Sequence, residues 1–198
     1  MRTSRTRSWR AFDPEALAST AVRAPASAAP ARILGLDPGS RLTGFGVLDC
    51  DGTATRYIAS GAIATPAGDF PTRLQAIFER VREVVLEYRP AEIAIERVFV
   101  SRNPDSALKL GQARGAALCG AFSAATAVFE YSPREIKLAI VGAGGAEKRQ
   151  VQHMVKALLR VEIRLGADAA DALAVALCHA HGRGLRARLG AAAARDAS

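Results

Sequence analysis

The sequence predicts an α/β domain whose sheet mixes strand directions. Two observations carry this prediction. Three closely spaced strand signals open the core, and helix and strand patterns then alternate to the end of it. The opening stretch "RILGLDPGSRLTGFGVLDCDGTATRYIASGAI" (32–63) holds an apolar run, a Pro/Gly turn, an alternating run, the Asp51-Gly52 hairpin signal and a third strand, so an antiparallel meander is expected. From Phe70 to Tyr88, residues Leu74, Ile77, Phe78, Val81, Val84, Val85 and Tyr88 recur at helical spacing, and Pro90 ends the helix. "EIAIERVFV" (92–100) is read as a buried strand. Asn103 and Pro104 supply an N-cap and first position for a helix running toward Phe122. "AVFEY" (127–131) is a fifth strand. Ser132-Pro133-Arg134-Glu135 has capping-box form and starts a short helix through Ile140. The Gly-rich "GAGGAEK" leads to a helix with Val151, Met154, Val155, Leu158 and Leu159 on one face. Gly166 separates it from a last helix, "ADAADALAVALCHA".

The chain has 198 residues, 49% hydrophobic and 23% charged, which suits one domain with a core of its own and excludes a disordered chain. The expected organisation is a disordered basic extension over 1–32, a folded domain over 33–181 and a basic tail over 182–198 that adds little to the core. The net charge of +8 invites a polyanion. Its location weakens that inference. Residues 1–32 carry six Arg against Asp13 and Glu15, a net +4; residues 182–198 carry four Arg against Asp196, a net +3; the core keeps only +1. A nucleic-acid partner must therefore rest on local sites.

Cys50, Cys119 and Cys178 are odd in number and lack metal spacing, so a reducing compartment, the cytoplasm, is expected. The longest uncharged run, Gly115 to Phe129, is too short to cross a membrane and reads as a buried helix, with its Ala and Gly residues suited to close packing in the core and at a subunit interface. The N-terminus has no apolar stretch of secretory type, although its Arg, Ser and Ala content leaves an organelle transit peptide open. His153, His179 and His181 have no metal spacing and are expected on helix surfaces.

Four acids stand where a core should be apolar. Asp37 follows Ile33-Leu34-Gly35-Leu36, Glu96 ends Ile93-Ala94-Ile95, and Asp168 and Asp171 are i and i+3 near the start of an apolar helix. Singly, each has a structural explanation as turn, strand end or cap. Together they point to a cluster, because neighbouring strands lie about 4.8 Å apart and a helical Asp pair can face them. Four carboxylates with no His or Cys call for magnesium or manganese, and two such ions about 3.5 to 4 Å apart suit phosphodiester hydrolysis. Loading two divalent ions would raise the core charge from +1 to +5.

Five ordered blocks, "ILGLDPGSRLTGFGV", "AIERVF", "DSALKLGQARG", "GAEKRQVQHMV" and "ADAADALA", spread over Ile33 to His181, resemble the RuvC-type Holliday-junction resolvases. The resemblance implies a ribonuclease H-like fold, a mixed five-stranded sheet flanked by helices. It also implies a homodimer that binds a four-way DNA junction and nicks two strands of like polarity symmetrically, with a branch-migration helicase complex as partner. The family's metal-binding and catalytic acids fall on Asp37, Glu96, Asp168 and Asp171, holding Mg2+, two ions per subunit, with Mn2+ as a substitute. Some members carry His at one helical position, where this chain has Asp168. Phe99 matches the aromatic residue that stacks on junction bases, and Lys137 and Lys148 match positions that hold the DNA backbone.

Three rivals are kept: a ribonuclease H-like enzyme acting on structured RNA, a catalytically silent junction-binding module, and an ATP-binding actin-like fragment suggested by "DPGSRLTGFG". The chain is too short for the paired domains of the last, and "GAGGAEK" does not match a P-loop.

Overall fold

The computed structural model describes residues 29–97, 103–122 and 127–196, with side chains of the last helix as far as Gly184. Its elements are β1 (Ala31–Asp37), β2 (Leu42–Asp51), β3 (Ala54–Ala64), α1 (Phe70–Tyr88), β4 (Glu92–Glu96), α2 (Pro104–Ala121), β5 (Ala127–Tyr131), α3 (Pro133–Val141), α4 (Lys148–Leu159) and α5 (Ala167–Asp196). The sheet runs β3-β2-β1-β4-β5. The first three strands form the expected antiparallel meander, and β4 and β5 join parallel to β1. This is the mixed five-stranded sheet that the alternation of signals predicted.

Local chemistry sets the element ends. Asp69 accepts the Thr72 amide at 2.9 Å to start α1, and Arg89 stops it in the left-handed region at φ 47°, one residue before Pro90. Asn103 caps α2 with Pro104 behind it. Ser132 and Glu135 complete a reciprocal capping box on α3.

Alternation along the strands assigns each side chain to one of two cores. Leu34, Leu36, Ile93 and Ile95 pack with α1 and α2, while Ile33, Ala94, Leu173 and Leu177 belong to the core under α3, α4 and α5. Continuing that period, Asp37 on β1 and both Glu92 and Glu96 on β4 fall on the α5 side. The helix lies unusually close to the sheet there. A Cβ on Gly35 would collide with the Ala172 carbonyl, on Gly44 with the Asp168 carbonyl, and on Gly46 with Leu173. These three positions act as a seat for α5.

Several expectations change. The strand from Glu92 ends at Glu96, where the Arg97 amide donates to the Tyr131 carbonyl at 2.7 Å. Residues 98–102, and with them Phe99, lie outside the described residues. The uncharged run 115–129 is not one helix: α2 stops at Ala121, Phe122 is exposed, and Ala127 begins β5. Both a buried helix end and a buried strand lack charge, so hydropathy alone merged them. Leu158 is exposed rather than packed. His179, expected on a surface, is fully buried, and α5 continues past residue 181 to Asp196 with Arg183 buried. Among the described residues no helix is long and apolar enough to cross a membrane.

Candidate metal centre

The parallel register of β1 and β4 is the starting point. Its last pair is Leu36 with Ile95, so Asp37 and Glu96 are the next residue on each strand, at neighbouring carboxyl ends of the sheet. Such ends are where parallel α/β sheets place their ligands. Asp37 pairs across β2 with Gly44, and Gly44 is the residue over which the first turn of α5 sits. The missing side chain at Gly44 thus lets the helix bring its own acids to Asp37.

Asp37, Glu96 and Asp171 line one cleft of about 360 Å³, together with Pro133, Ile136 and Lys137 of α3, Lys148 and Val151 of α4, and Ala174. Asp168 lies one turn earlier on α5, half-buried, and its charge is felt by both Asp37 and Lys148. All four acids singled out in the sequence, and both lysines, therefore meet at one edge of the sheet.

The electrostatics of the cleft are unbalanced. Burial, then the Glu96 and Asp171 carboxylates, push Asp37 up to about 7, with Asp168 adding to the rise and Lys148 opposing it. Glu96 is raised by burial and by Asp171, against a hydrogen bond from Asp37 and the charges of Lys148 and Lys137. Lys148 pairs directly with Asp171, which raises the lysine despite some desolvation. One ammonium is the only direct counter-charge that the acids find among the described residues.

Among the described residues no three His, Cys, Asp or Glu side chains converge tightly enough to form a finished metal cage. The donor set nevertheless suits a hard cation. The cleft offers carboxylate oxygens and has no His or Cys in its lining, and Asp37 and Glu96 are raised by burial and then by neighbouring carboxylates, the condition that an added positive charge relieves.

Two features escaped the sequence. Lys148 is an ion-pair partner of a site acid, besides any role toward DNA. At the other end of β4, Glu92 is buried and joined to His179 at 2.5 Å and to Arg183 at 2.7 and 2.9 Å. The Tyr131 hydroxyl meets the other His179 nitrogen at 2.7 Å. The signal was present in "EIAIE", whose two glutamates share a face by strand alternation.

Residues 33–179 match the pattern of the family described as crossover junction endodeoxyribonuclease RuvC. The chain belongs to the RuvC family. It is 54% identical over 158 residues to the RuvC of Alkalilimnicola ehrlichii, covering 80% of this chain and 96% of that one. It is 57% identical over 149 residues to the RuvC of Marinobacter nauticus, covering 75% and 85%. Thermus thermophilus RuvC in complex with Holliday junction substrate superposes with a TM-score of 0.73 at 34% identity, over 78% of this chain and 96% of that chain. The yeast mitochondrial Holliday junction resolvase shares the fold, with a TM-score of 0.60 at 12% identity over 88% and 89%. The RuvC-type core thus takes in every element from β1 into α5, and the ribonuclease H-like expectation holds.

Proposed function

We propose that this RuvC-family chain is a crossover junction endodeoxyribonuclease that resolves four-way DNA junctions in recombination and repair, with Asp37, Glu96, Asp168 and Asp171 as its metal ligands. The observation that carries the reading is that Asp37, Glu96 and Asp171 line one under-neutralised cleft, with Asp168 one turn away. Bound there, magnesium, with manganese as substitute, would lower the pKa of water and stabilise charge on the leaving oxygen.

The chain's own residues supply the rest. A carboxylate-lined cleft repels a phosphate, so Lys137 and Lys148 on its rim are suited to hold the backbone against that repulsion. Asp37 and Glu96 are held on rigid strands and Asp168 and Asp171 on a helix seated by glycines, which fixes the ligands before substrate arrives. Release of a 3′-hydroxyl and a 5′-phosphate belongs to this reading. So does a homodimer, whose two-fold axis matches the symmetry of a crossed junction and the two nicks made on it. Exposed Leu108 and Phe122, on α2 and at its end, favour that helix as the joining surface. A branch-migration helicase partner, stacking by Phe99 and a cytoplasmic location are part of the same proposal.

The test is nicking of a synthetic four-way DNA junction in magnesium, with calcium as the binding-only control and structured RNA as the competing substrate. Paired nicks in strands of like polarity are expected. Cleavage confined to RNA, or junction binding without turnover in magnesium or manganese, would overturn the reading in favour of its rivals.

A further inference from the structure

The carboxylate edge of the sheet is gripped from both faces. On one, α5 brings Asp168 and Asp171. On the other, α2 sends Arg114 back to the strand ends: its Nε donates to the main-chain carbonyl of Glu96 at 3.3 Å, and a terminal nitrogen pairs with the Glu130 carboxylate of β5. Strand alternation explains the second contact, since Glu130 falls on the face that α2 covers while Phe129 and Tyr131 face α5. The Arg114 side chain is only 19% exposed. The β1 ladder has already ended at Leu36 opposite Ile95, so the Glu96 carbonyl lies beyond the last β1–β4 pair and takes the guanidinium.

We propose that Arg114 is a positioning residue for the metal site, clamping the last peptide of β4 so that the Glu96 carboxylate is aimed at Asp37 and Asp171; this rests on Glu96 being a metal ligand. The argument is one of leverage. Glu96 is the final strand residue, and the peptide that follows it is held by two bonds, the Arg97 amide to Tyr131 and the Glu96 carbonyl to Arg114. Loss of the second frees that peptide to rotate and swings the side chain attached to it. Arginine suits the task because one planar fork reaches a carbonyl and a carboxylate together, whereas lysine is a point charge that can keep the Glu130 pair without fixing the carbonyl.

The experiment uses the whole chain and four readouts: Mn2+ binding by calorimetry without DNA, single-turnover nicking of a four-way junction in magnesium, junction affinity in calcium, and thermal melting. Arg114→Lys is expected to melt near the wild type and to bind the junction within about twofold. Its Mn2+ affinity and nicking rate should each fall by about 10- to 100-fold, the range for partners that orient a metal ligand, with part of the rate returning at high Mn2+. Glu130→Gln, which leaves the carbonyl clamp in place, should keep Mn2+ binding within about threefold by the same measure. The proposal is overturned by an Arg114→Lys chain that binds Mn2+ and nicks like the wild type, and equally by one that fails to fold, since the residue is then structural. It is also overturned if Glu130→Gln weakens Mn2+ as much as Arg114→Lys does. A wild type that neither binds Mn2+ nor nicks removes the metal-site reading itself, a failure visible without any variant.

Discussion

Glu92 and Glu96 occupy the two ends of β4, on the same face of the same strand, and live under opposite electrostatics. Glu92 is 2% exposed, and burial alone would raise it, but hydrogen bonds from His179 and Arg183, backed by their charges, hold it down at about 2. Glu96 is also raised by burial, and the largest effect of a neighbouring charge on it comes from another acid, Asp171, which raises it further. One end of the strand is a completed ion-pair network that also ties Arg183 to the Ala29 carbonyl at 3.2 Å, just before β1 begins. The other end is a group of acids short of positive charge. Burial of a carboxylate is thus not in itself a mark of function: what separates the ends is whether the protein supplies the counter-charge or leaves it to a ligand.

That contrast predicts opposite outcomes when each end is altered. At the acid-rich end, Asp37→Asn removes a proposed metal ligand and a repulsion together. Junction nicking in magnesium should fall by about 10³-fold or more, the several kcal/mol that a catalytic metal contributes. Junction binding in calcium should persist within a few-fold. The metal-free protein should melt no lower than wild type at pH 8 and is expected to gain a few degrees, as ~1 kcal/mol is worth about 2–4 °C at this size. Asp168→Asn should likewise lose nicking while keeping binding. Undiminished cleavage by either variant removes that residue from the site.

At the paired end the sign of the stability effect reverses. Arg183→Met leaves Glu92 buried without its guanidinium, a defect that costs about 3–5 kcal/mol and lowers the melting temperature by about 10 °C. Nicking per folded molecule, measured well below the melting point, should stay within about threefold. Loss of activity in step with the Asp37 variant would erase the contrast between the two ends.

The same network makes a prediction in pH. Glu92 has a folded-state pKa of about 2, below its ordinary value of 4.5. Its contribution is therefore complete above pH 4.5 and disappears as pH falls from there toward 2, a change of order a few kcal/mol. The gap in unfolding free energy between wild type and Arg183→Met should be full at pH 6 and narrow steadily below pH 4.5. A gap that stays constant to pH 3 would mean that Glu92 is not the group whose charge Arg183 stabilises.

How far the sequence disclosed all this follows the range of the forces involved. The meander, α1 and β5 were legible because alternation and helical spacing are local. Asn103-Pro104 and Ser132 to Glu135 placed helix starts because capping bonds span three residues. The four acids were legible because a carboxylate at the end of an apolar strand contradicts its surroundings. Where partners are distant in sequence, the pattern was silent. His179 and Arg183 meet Glu92 across 87 and 91 residues, so the sequence showed a surface histidine and a tail arginine where the fold has a buried network. Arg114 was likewise invisible as a partner of Glu96, since the carbonyl it serves carries no side-chain signature. The run 115–129 misled because absence of charge marks burial but not backbone conformation.

The finest distinction between the two ends concerns the cation that is ion-paired at the acid-rich end. Lys148 pairs with Asp171, yet its side chain is 60% exposed where its partner's is 17%. Arg183 is 7% exposed, and its ion pair is with the buried Glu92. A pair with so wet a cation is worth at most ~1 kcal/mol, so it is easily exchanged for a divalent ion. Lys148→Met should therefore tighten Mn2+ binding, but by less than about fivefold, because the lysine competes only weakly. If Lys148 holds a phosphate as proposed, the same variant should weaken junction binding in calcium and make its salt dependence shallower, by about 0.9 in the slope of log affinity against log salt. Lys137→Met, which touches no site acid directly, should lose the DNA contact with a smaller gain in Mn2+ affinity. If Lys148→Met instead weakens Mn2+ binding, the ammonium is orienting Asp171 rather than standing in for the ion, and the acid-rich end is more nearly completed by the protein than its charges suggest.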